Sequence, residues 1–465
     1  MAFLIVLAAL CFLMFVAYRG YSVILFAPVA ALGAVLLTDP SLVAPMFTGL
    51  FMDKMVGFLK LYFPVFLLGA VFGKVIELSG FSKSIVTATI RLFGASRAML
   101  SIVAVCALLT YGGVSLFVVV FAVYPFAAEL FRQSHIPKRL IPGTIALGAF
   151  TFTMDALPGT PQIQNIIPTT FFGTDTWAAP VLGTLGGVFI LAIGLLYLDW
   201  RRRAALKAGE GYGDTLVNEP TPFAGGHLAH PAIAILPLVL VGVANKLLTG
   251  WIPRFYGDSH SFDPAVIGSA APVVQEVSKV AAIWAVQGAL LLGIATVLAF
   301  AWKPVMTGFA EGSKSAIGGA LLAAMNTASE YGFGAVIAAL PGFLVVANAL
   351  SAIPNPLVNE AVTVTALAGI TGSASGGMSI ALAAMAETFI ANANAAGIPM
   401  EVLHRIAAMA SGGMDTLPHN GAVITLLAVT GLTHRQAYKD IFAITLIKTA
   451  AVFVVIATFY ATGLV

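Results

Sequence analysis

Two short stretches of small and hydroxyl residues interrupt long apolar runs and carry the clearest chemistry in the sequence. Residues 110–115 read Thr-Tyr-Gly-Gly-Val-Ser, and residues 371–379 read Thr-Gly-Ser-Ala-Ser-Gly-Gly-Met-Ser. Each lies between two apolar arms, as the tip of a re-entrant hairpin would. Glycine lets a backbone reverse, and a helix starting at such a turn presents unpaired N–H groups to an anion. Gly112, Gly113 and Ser115 at one tip, and Ser373, Ser375, Gly376, Gly377 and Ser379 at the other, are therefore candidate contacts for a bound carboxylate. Close helix–helix contact is the competing reading. It accounts for the glycines but not for the broken arms beside them.

A second pair of segments follows the tips in each half of the chain. Met154-Asp155-Ala156-Leu157-Pro158 continues to Thr160 and Gln162, and Met414-Asp415-Thr416-Leu417-Pro418 continues to His419 and Asn420. An Asp inside an apolar run is costly and usually functional. The Pro that follows breaks the helix, which frees carbonyls for a cation or for substrate hydroxyls. Asp155 and Asp415 are candidates for ion or proton coupling. Helix capping is their structural alternative, compatible with the first. Thr160, Gln162, His419 and Asn420 are candidate substrate contacts. A third polar run, Asn326-Thr327-Ala328-Ser329-Glu330, has no polar match in the first half. That asymmetry suits coupling, with Glu330 as proton carrier and Asn326 and Thr327 beside it. No Lys or Arg is evident at the centre of this region, so a co-transported cation is expected to balance the substrate's charge.

These residues need a membrane-embedded frame. Of the 465 residues, 59% are hydrophobic and 9% charged, against about a quarter charged in a soluble domain. So few charges cannot cover a soluble surface, which leaves much of it to lipid. A net charge of +3 gives no footprint for nucleic acid. Cys11 and Cys106 both lie in apolar runs and form no metal or disulfide pattern, so no metal site and no cofactor is expected. His227 and His230 are better read as loop residues than as ligands. The first apolar run, 2–18, lacks a basic leader and a cleavage site and reads as a transmembrane helix.

Apolar segments fall near 2–18, 21–38, 57–79, 98–111, 114–131, 140–154, 179–200, 230–248, 280–302, 316–329, 332–352, 357–371, 378–393, 401–414, 417–431 and 440–463. Several are too short to span, which leaves about ten to twelve crossings plus re-entrant segments. Basic clusters at 132–139, 201–207 and 434–439 place those loops in the cytoplasm. The loop near 249–276, with Asp258, Asp263 and Glu276, is placed outside, and Arg19 puts the N-terminus outside. The expected division is an N-terminal membrane repeat at 1–202, a cytoplasmic linker at 203–229 and a C-terminal membrane repeat at 230–465.

The halves resemble each other. Phe72-Gly73 matches Phe333-Gly334, Gly112-Gly113 matches Gly376-Gly377, Ile136-Pro137 matches Ile398-Pro399, and Met154-Asp155 matches Met414-Asp415. All four offsets lie between 260 and 264 residues, in the same order. Such repeats mark secondary transporters, with substrate bound where the repeats meet. The expected fold is an all-α polytopic membrane protein with inverted repeats, re-entrant hairpins and broken helices. A channel would instead need a continuous polar stripe, and a membrane enzyme a catalytic motif such as HExxH or GxSxG, which is absent.

At its tips, its paired Met-Asp-x-Leu-Pro loops and the run 326–334, nearly the whole chain resembles the gluconate permease family of the ion-transporter superfamily. It is more narrowly similar to a branch associated with 3-hydroxybutyrate. Residues 372–377, Gly-Ser-Ala-Ser-Gly-Gly, depart from the tip typical of gluconate carriers. The resemblance implies a multi-pass transporter of the bacterial inner membrane that takes up a small organic acid by proton symport. It also implies a homodimer, with a scaffold domain and a transport domain that moves like an elevator. Sodium coupling, or a sugar acid or citrate as cargo, are the alternatives of the same architecture.

Overall fold

The computed structural model describes residues 2–19, 21–93, 97–114, 116–213, 217–220, 228–268, 272–343, 345, 353–418 and 420–465. Ser115, His419 and His227 lie outside these described residues. In chain order the main helices are α1 (Ala2–Tyr18), α2 (Val23–Thr38), α3 (Met52–Leu78), α4 (Phe81–Phe93), α5 (Ala98–Tyr111), α6 (Leu116–Gln133) and α7 (Ile141–Ala149). They continue as α8 (Ile163–Phe172), α9 (Pro180–Lys207), α10 (Pro231–Tyr256), α11 (Ala281–Ala339) and α12 (Pro356–Thr371). The last are α13 (Ala374–Ala395), α14 (Met400–Ser411), α15 (Gly421–Thr430) and α16 (His434–Thr462).

Among the described residues, six helical runs are long and apolar enough to cross a bilayer, and the longest are α9, α10, α11, α16 and the run Pro40–Leu78 that ends in α3. Their outer rows expose large apolar side chains such as Leu185, Leu196, Leu292 and Phe453. In a membrane these rows meet lipid. The protein is an all-α polytopic membrane protein, with one addition to the expected elements. The loop between α10 and α11 carries an antiparallel ribbon of Ser259–Phe262 and Val273–Glu276.

The two halves of the chain fold alike and in opposite directions. Hairpin α5–α6 matches α12–α13, α7 matches α14, α8 matches α15, and α9 matches α16. Helices α9 and α16 pack side by side and antiparallel. The Val181 amide donates to the Val465 carbonyl (3.3 Å) at one end, and Arg201 pairs with Asp440 (2.6 Å) at the other. Matched helices that run antiparallel require a two-fold axis across the helices, which is the inverted repeat expected of a carrier. The halves also exchange neighbours. Helix α8 of the first half packs on α13 and α14 of the second, while α15 of the second packs on α6 and α7 of the first.

Breaks in these helices follow from local chemistry. Pro180, Pro231 and Pro356 open α9, α10 and α12, where a missing N–H costs nothing. Asn355, Ser373 and Asn420 cap α12, α13 and α15 by accepting from Val358, Gly376 and Val423 amides at 3.0, 3.1 and 2.9 Å. The segment 140–154, expected to be continuous, stops at Ala149 and resumes as one turn, Phe152–Asp155. The expected breaks between 302 and 332 are mostly absent. Helix α11 runs through the polar residues 326–330 unbroken and bends only at Ala301, three residues before Pro304. Hydroxyls in a helix can bond the carbonyl one turn back, as Thr327 does to Ala323 (3.1 Å), so polarity alone does not end it.

The three basic segments gather on one face. Arg139 and Arg201 both reach Asp440, at 3.5 and 2.6 Å. The linker lies along this face, where Lys138 holds the Val217 carbonyl and the Glu219 carboxylate, both at 2.7 Å, and Arg139 holds Glu210 at 2.6 Å. The ribbon sits at the opposite end of α10 and α11.

Candidate functional site

Each hairpin tip is tied to the broken loop of its own half by a side-chain amide. Gln162 Nε2 donates to the Thr110 carbonyl (2.7 Å) and to the Val114 carbonyl (3.4 Å). Asn420 Nδ2 donates to the Gly372 carbonyl (2.7 Å). Both tips turn through left-handed glycines, Gly113 at φ +95° and Gly372 at φ +66°. A side chain is strained there, which is why glycine holds both positions. Gly112 lies against Leu238 of α10, and Thr160 is committed to the Thr153 carbonyl (2.8 Å).

The second tip carries an acidic neighbour. A Cβ on Gly376 would collide with the Glu330 carboxylate, so the fold brings that acid directly against the hairpin backbone. Thr327 and Ser375 share a hydrogen bond of 3.1 Å beside it. Asn326, a residue earlier on α11, is half-buried. Glu330 is buried and its Oε2 has no hydrogen-bond partner among the described residues; the same holds for the hydroxyls of Ser329 and Ser379. Gly377 packs against the backbone of Ala368, closing the two arms together.

Asp155 and Asp415 meet where the halves join. Asp415 is paired with Lys448, which also donates to the Phe150 carbonyl (3.0 Å). Asp155 lies within electrostatic range of Lys448, Asp415 and Arg405. Its Oδ2 has no partner, and a Cβ on Gly412 would run into it. The expectation of no central Lys or Arg is therefore wrong. Arg405 is fully buried and Lys448 nearly so. Arg405 donates to the carbonyls of Asp155 (3.0 Å) and Ala178 (2.8 Å) and to Asn165 Oδ1 (2.9 Å), so its guanidinium is spent on the protein. Asn165 also meets His404 Nε2 (3.2 Å), whose Nδ1 meets Thr174 (2.6 Å).

Helix α8 links the clusters. It begins after Gln162, holds Arg405 through Asn165 and packs Phe171 on Tyr331, with ring centroids 6.3 Å apart, next to Glu330. Its ten residues span about 15 Å. Sequence reasoning missed Arg405, His404, Lys448, Asn245 and Glu360. Glu360 on α12 is fully buried with neither carboxylate oxygen bonded. The signal was present: each lies beside one other polar residue within an otherwise apolar run, and a polar residue in an apolar run is what had picked out Asp155. No group of three or more metal-ligating side chains occurs among the described residues.

A bundle of inverted repeats, with two amide-latched hairpins and buried carboxylates between them, defines a multi-pass membrane transporter. No protein-family model matches the chain. It is 61% identical, over the full length of both chains, to the uncharacterized transporter YxjC of Bacillus subtilis (strain 168), and it belongs to that transporter's family. The fold is similar to the crystal structure of the Alcanivorax borkumensis YdaH transporter, described as having an unusual topology. That match has a TM-score of 0.50 and 14% identity, and it covers 92% of this chain and 90% of the other. These relatives are transporters and not enzymes.

Proposed function

We propose that this protein is a proton-coupled symporter for a short hydroxy-monocarboxylate such as 3-hydroxybutyrate, in the bacterial inner membrane. The observation that carries the reading is the pair of amide-latched hairpin tips, with Glu330 buried against the second tip and Asp155 buried where the halves join, each with an oxygen unpartnered among the described residues. Such a carboxylate at membrane depth is tolerated as the neutral acid and can exchange a proton when the site opens to water. Asp155 and Glu330 are the proton carriers in this account. Asp415, fixed by Lys448, sets the charge beside Asp155. Tip backbone and hydroxyls of Ser373, Ser375 and Ser379, with Thr160, Gln162 and Asn420, surround the acid, and Ser115 and His419 are assigned to the same task from the sequence alone.

Sodium coupling is the second reading. It is disfavoured because the tip carbonyls of Thr110 and Gly372 already accept from Gln162 and Asn420. Gluconate, another sugar acid and citrate are the competing cargoes. The division into repeats 1–202 and 230–465 with a linker at 203–229, an elevator motion of the hairpins against the scaffold, homodimer assembly and membership of the gluconate permease family belong to the same proposal. Counterflow of labelled 3-hydroxybutyrate in proteoliposomes, challenged with gluconate, citrate and short acids, tests the cargo. Displacement by short hydroxy-monocarboxylates alone is the expected pattern. Displacement by citrate or gluconate alone would sink it.

A further inference from the structure

An open cleft of about 540 Å³ lies between the first hairpin and α10, lined by Leu108, Tyr111, Gly112, Trp177, Leu238 and Lys246 among others. Its volume is in the range of small-molecule sites, about 300–1,000 Å³. Lys246 is exposed and shares the wall of this cleft with the exposed Val239, Val243 and Leu247. It lies ten residues, about 15 Å, from the C-terminal end of a 26-residue membrane helix. A lysine at that depth is costly unless it faces water or an anion. Lys246 has no carboxylate partner among the described residues, and its ammonium sits 4.7 Å from the centre of the Trp177 ring.

The neighbours of Lys246 fix it at this cleft. Asn245 is fully buried and donates to the Gly159 carbonyl and to Thr176 Oγ1, both at 3.1 Å, which locks the rotation of α10. Trp177 is held through its backbone N–H by Asp175 Oδ1 (2.7 Å), yet its indole Nε1 is buried with no acceptor. The Tyr111 hydroxyl is already committed to the Pro158 carbonyl (2.8 Å). The cleft thus offers one exposed ammonium and a wall of leucine, with an indole N–H unpartnered among the described residues buried beside it.

We infer that Lys246 and Trp177 form a carboxylate-binding subsite beside the first hairpin tip, with the short aliphatic chain of the acid against Leu108 and Leu238. This inference rests on the organic-acid carrier reading above. One ammonium and one indole N–H suit a single carboxylate, and the apolar wall disfavours a polyol or a tricarboxylate. A charge-assisted hydrogen bond is among the stronger polar contacts available.

The test is uptake of labelled 3-hydroxybutyrate into proteoliposomes by wild type, Lys246→Gln, Lys246→Arg and Trp177→Phe. Lys246→Gln is expected to raise the half-saturating concentration tenfold or more while leaving the saturated rate within about twofold. Lys246→Arg stays within about threefold of wild type, and Trp177→Phe rises about three- to fivefold. Unchanged half-saturation in Lys246→Gln overturns the subsite. If Lys246→Gln does not fold, Trp177→Phe with an unchanged constant overturns it instead. Half-saturation that follows phosphatidylglycerol content in the vesicles, and not the charge at 246, assigns Lys246 to lipid and also overturns it. A wild type that takes up no short carboxylate sinks the carrier reading itself, before the subsite is reached.

Discussion

Replacing Asp415 by Asn removes the carboxylate paired with the buried Lys448 ammonium and leaves it neutral acceptors, the Phe150 carbonyl and the new amide oxygen. Removing one partner of a buried ion pair costs about 3–5 kcal/mol, most of it the stranded charge. In a bilayer the unfolded chain also finds partners, so the lower end, about 3 kcal/mol, is the better expectation here. That lowers the folded-to-unfolded ratio by about two orders of magnitude. Lys448→Met is expected to lose a similar amount, because it leaves Asp415 unpaired. The double variant Asp415→Asn/Lys448→Met strands no charge and is expected within about 1.5 kcal/mol of wild type, since a buried pair replaced by a neutral set is often near-neutral. Unfolding of all four proteins by SDS in mixed micelles gives the cycle. The reasoning is refuted if either single variant loses less than about 0.5 kcal/mol, or if the double variant loses the sum of the singles. Uptake adds a second readout: proton-driven transport survives in the double variant if Asp415 only sets charge, and is lost if it carries the proton.

Further outcomes follow from the same geometry. Gly376→Ala drives a methyl into the Glu330 carboxylate; uptake is expected to fall at least tenfold, and Glu330→Ala added to it removes the clash without restoring proton dependence. Arg405→Lys keeps the charge but cannot hold Ala178, Asn165 and the Asp155 carbonyl together, so a loss of about 2 kcal/mol or more is expected in the same SDS titration. Arg139 holds the linker carboxyl of Glu210 below its ordinary value of 4.5. The depressed native value means this contact stabilises the linker fully above the unfolded pKa and is lost as pH falls through the native one. Protection of the amides of residues 208–213, taken relative to their intrinsic exchange rate at each pH, is expected to fall as pH drops below about 4.3, and Glu210→Gln to abolish that dependence.

The fold was legible because its signals are strong ones. Long apolar runs, Pro-opened helices and the Met-Asp-x-Leu-Pro repeat each predict a local structure that the membrane enforces. Boundaries were less so. The run 326–334 looked like a break because polar residues at membrane depth usually mark one, but α11 absorbs them by hydroxyl-to-carbonyl bonds and by burying Glu330 against Gly376. Helix α8, only ten residues long, escaped notice because its apolar stretch is too short to span, yet it joins the two halves. At the site, the paired aspartates and both tips could be read from spacing. Their partners could not. Arg405 and Lys448 lie about 250 and 33 residues from Asp155 and Asp415, and only the crossed packing of the halves brings α8, α14 and α16 to one place.

The central claim is proton-coupled uptake of a short hydroxy acid at these hairpins. Its most direct test is uptake of labelled 3-hydroxybutyrate into proteoliposomes with a proton gradient or a sodium gradient imposed separately. The account predicts accumulation above equilibrium with the inward proton gradient alone, and loss of that accumulation in Glu330→Gln or Asp155→Asn with exchange at equal pH retained. Accumulation driven by sodium alone, or proton-driven accumulation unchanged in both variants, would contradict it.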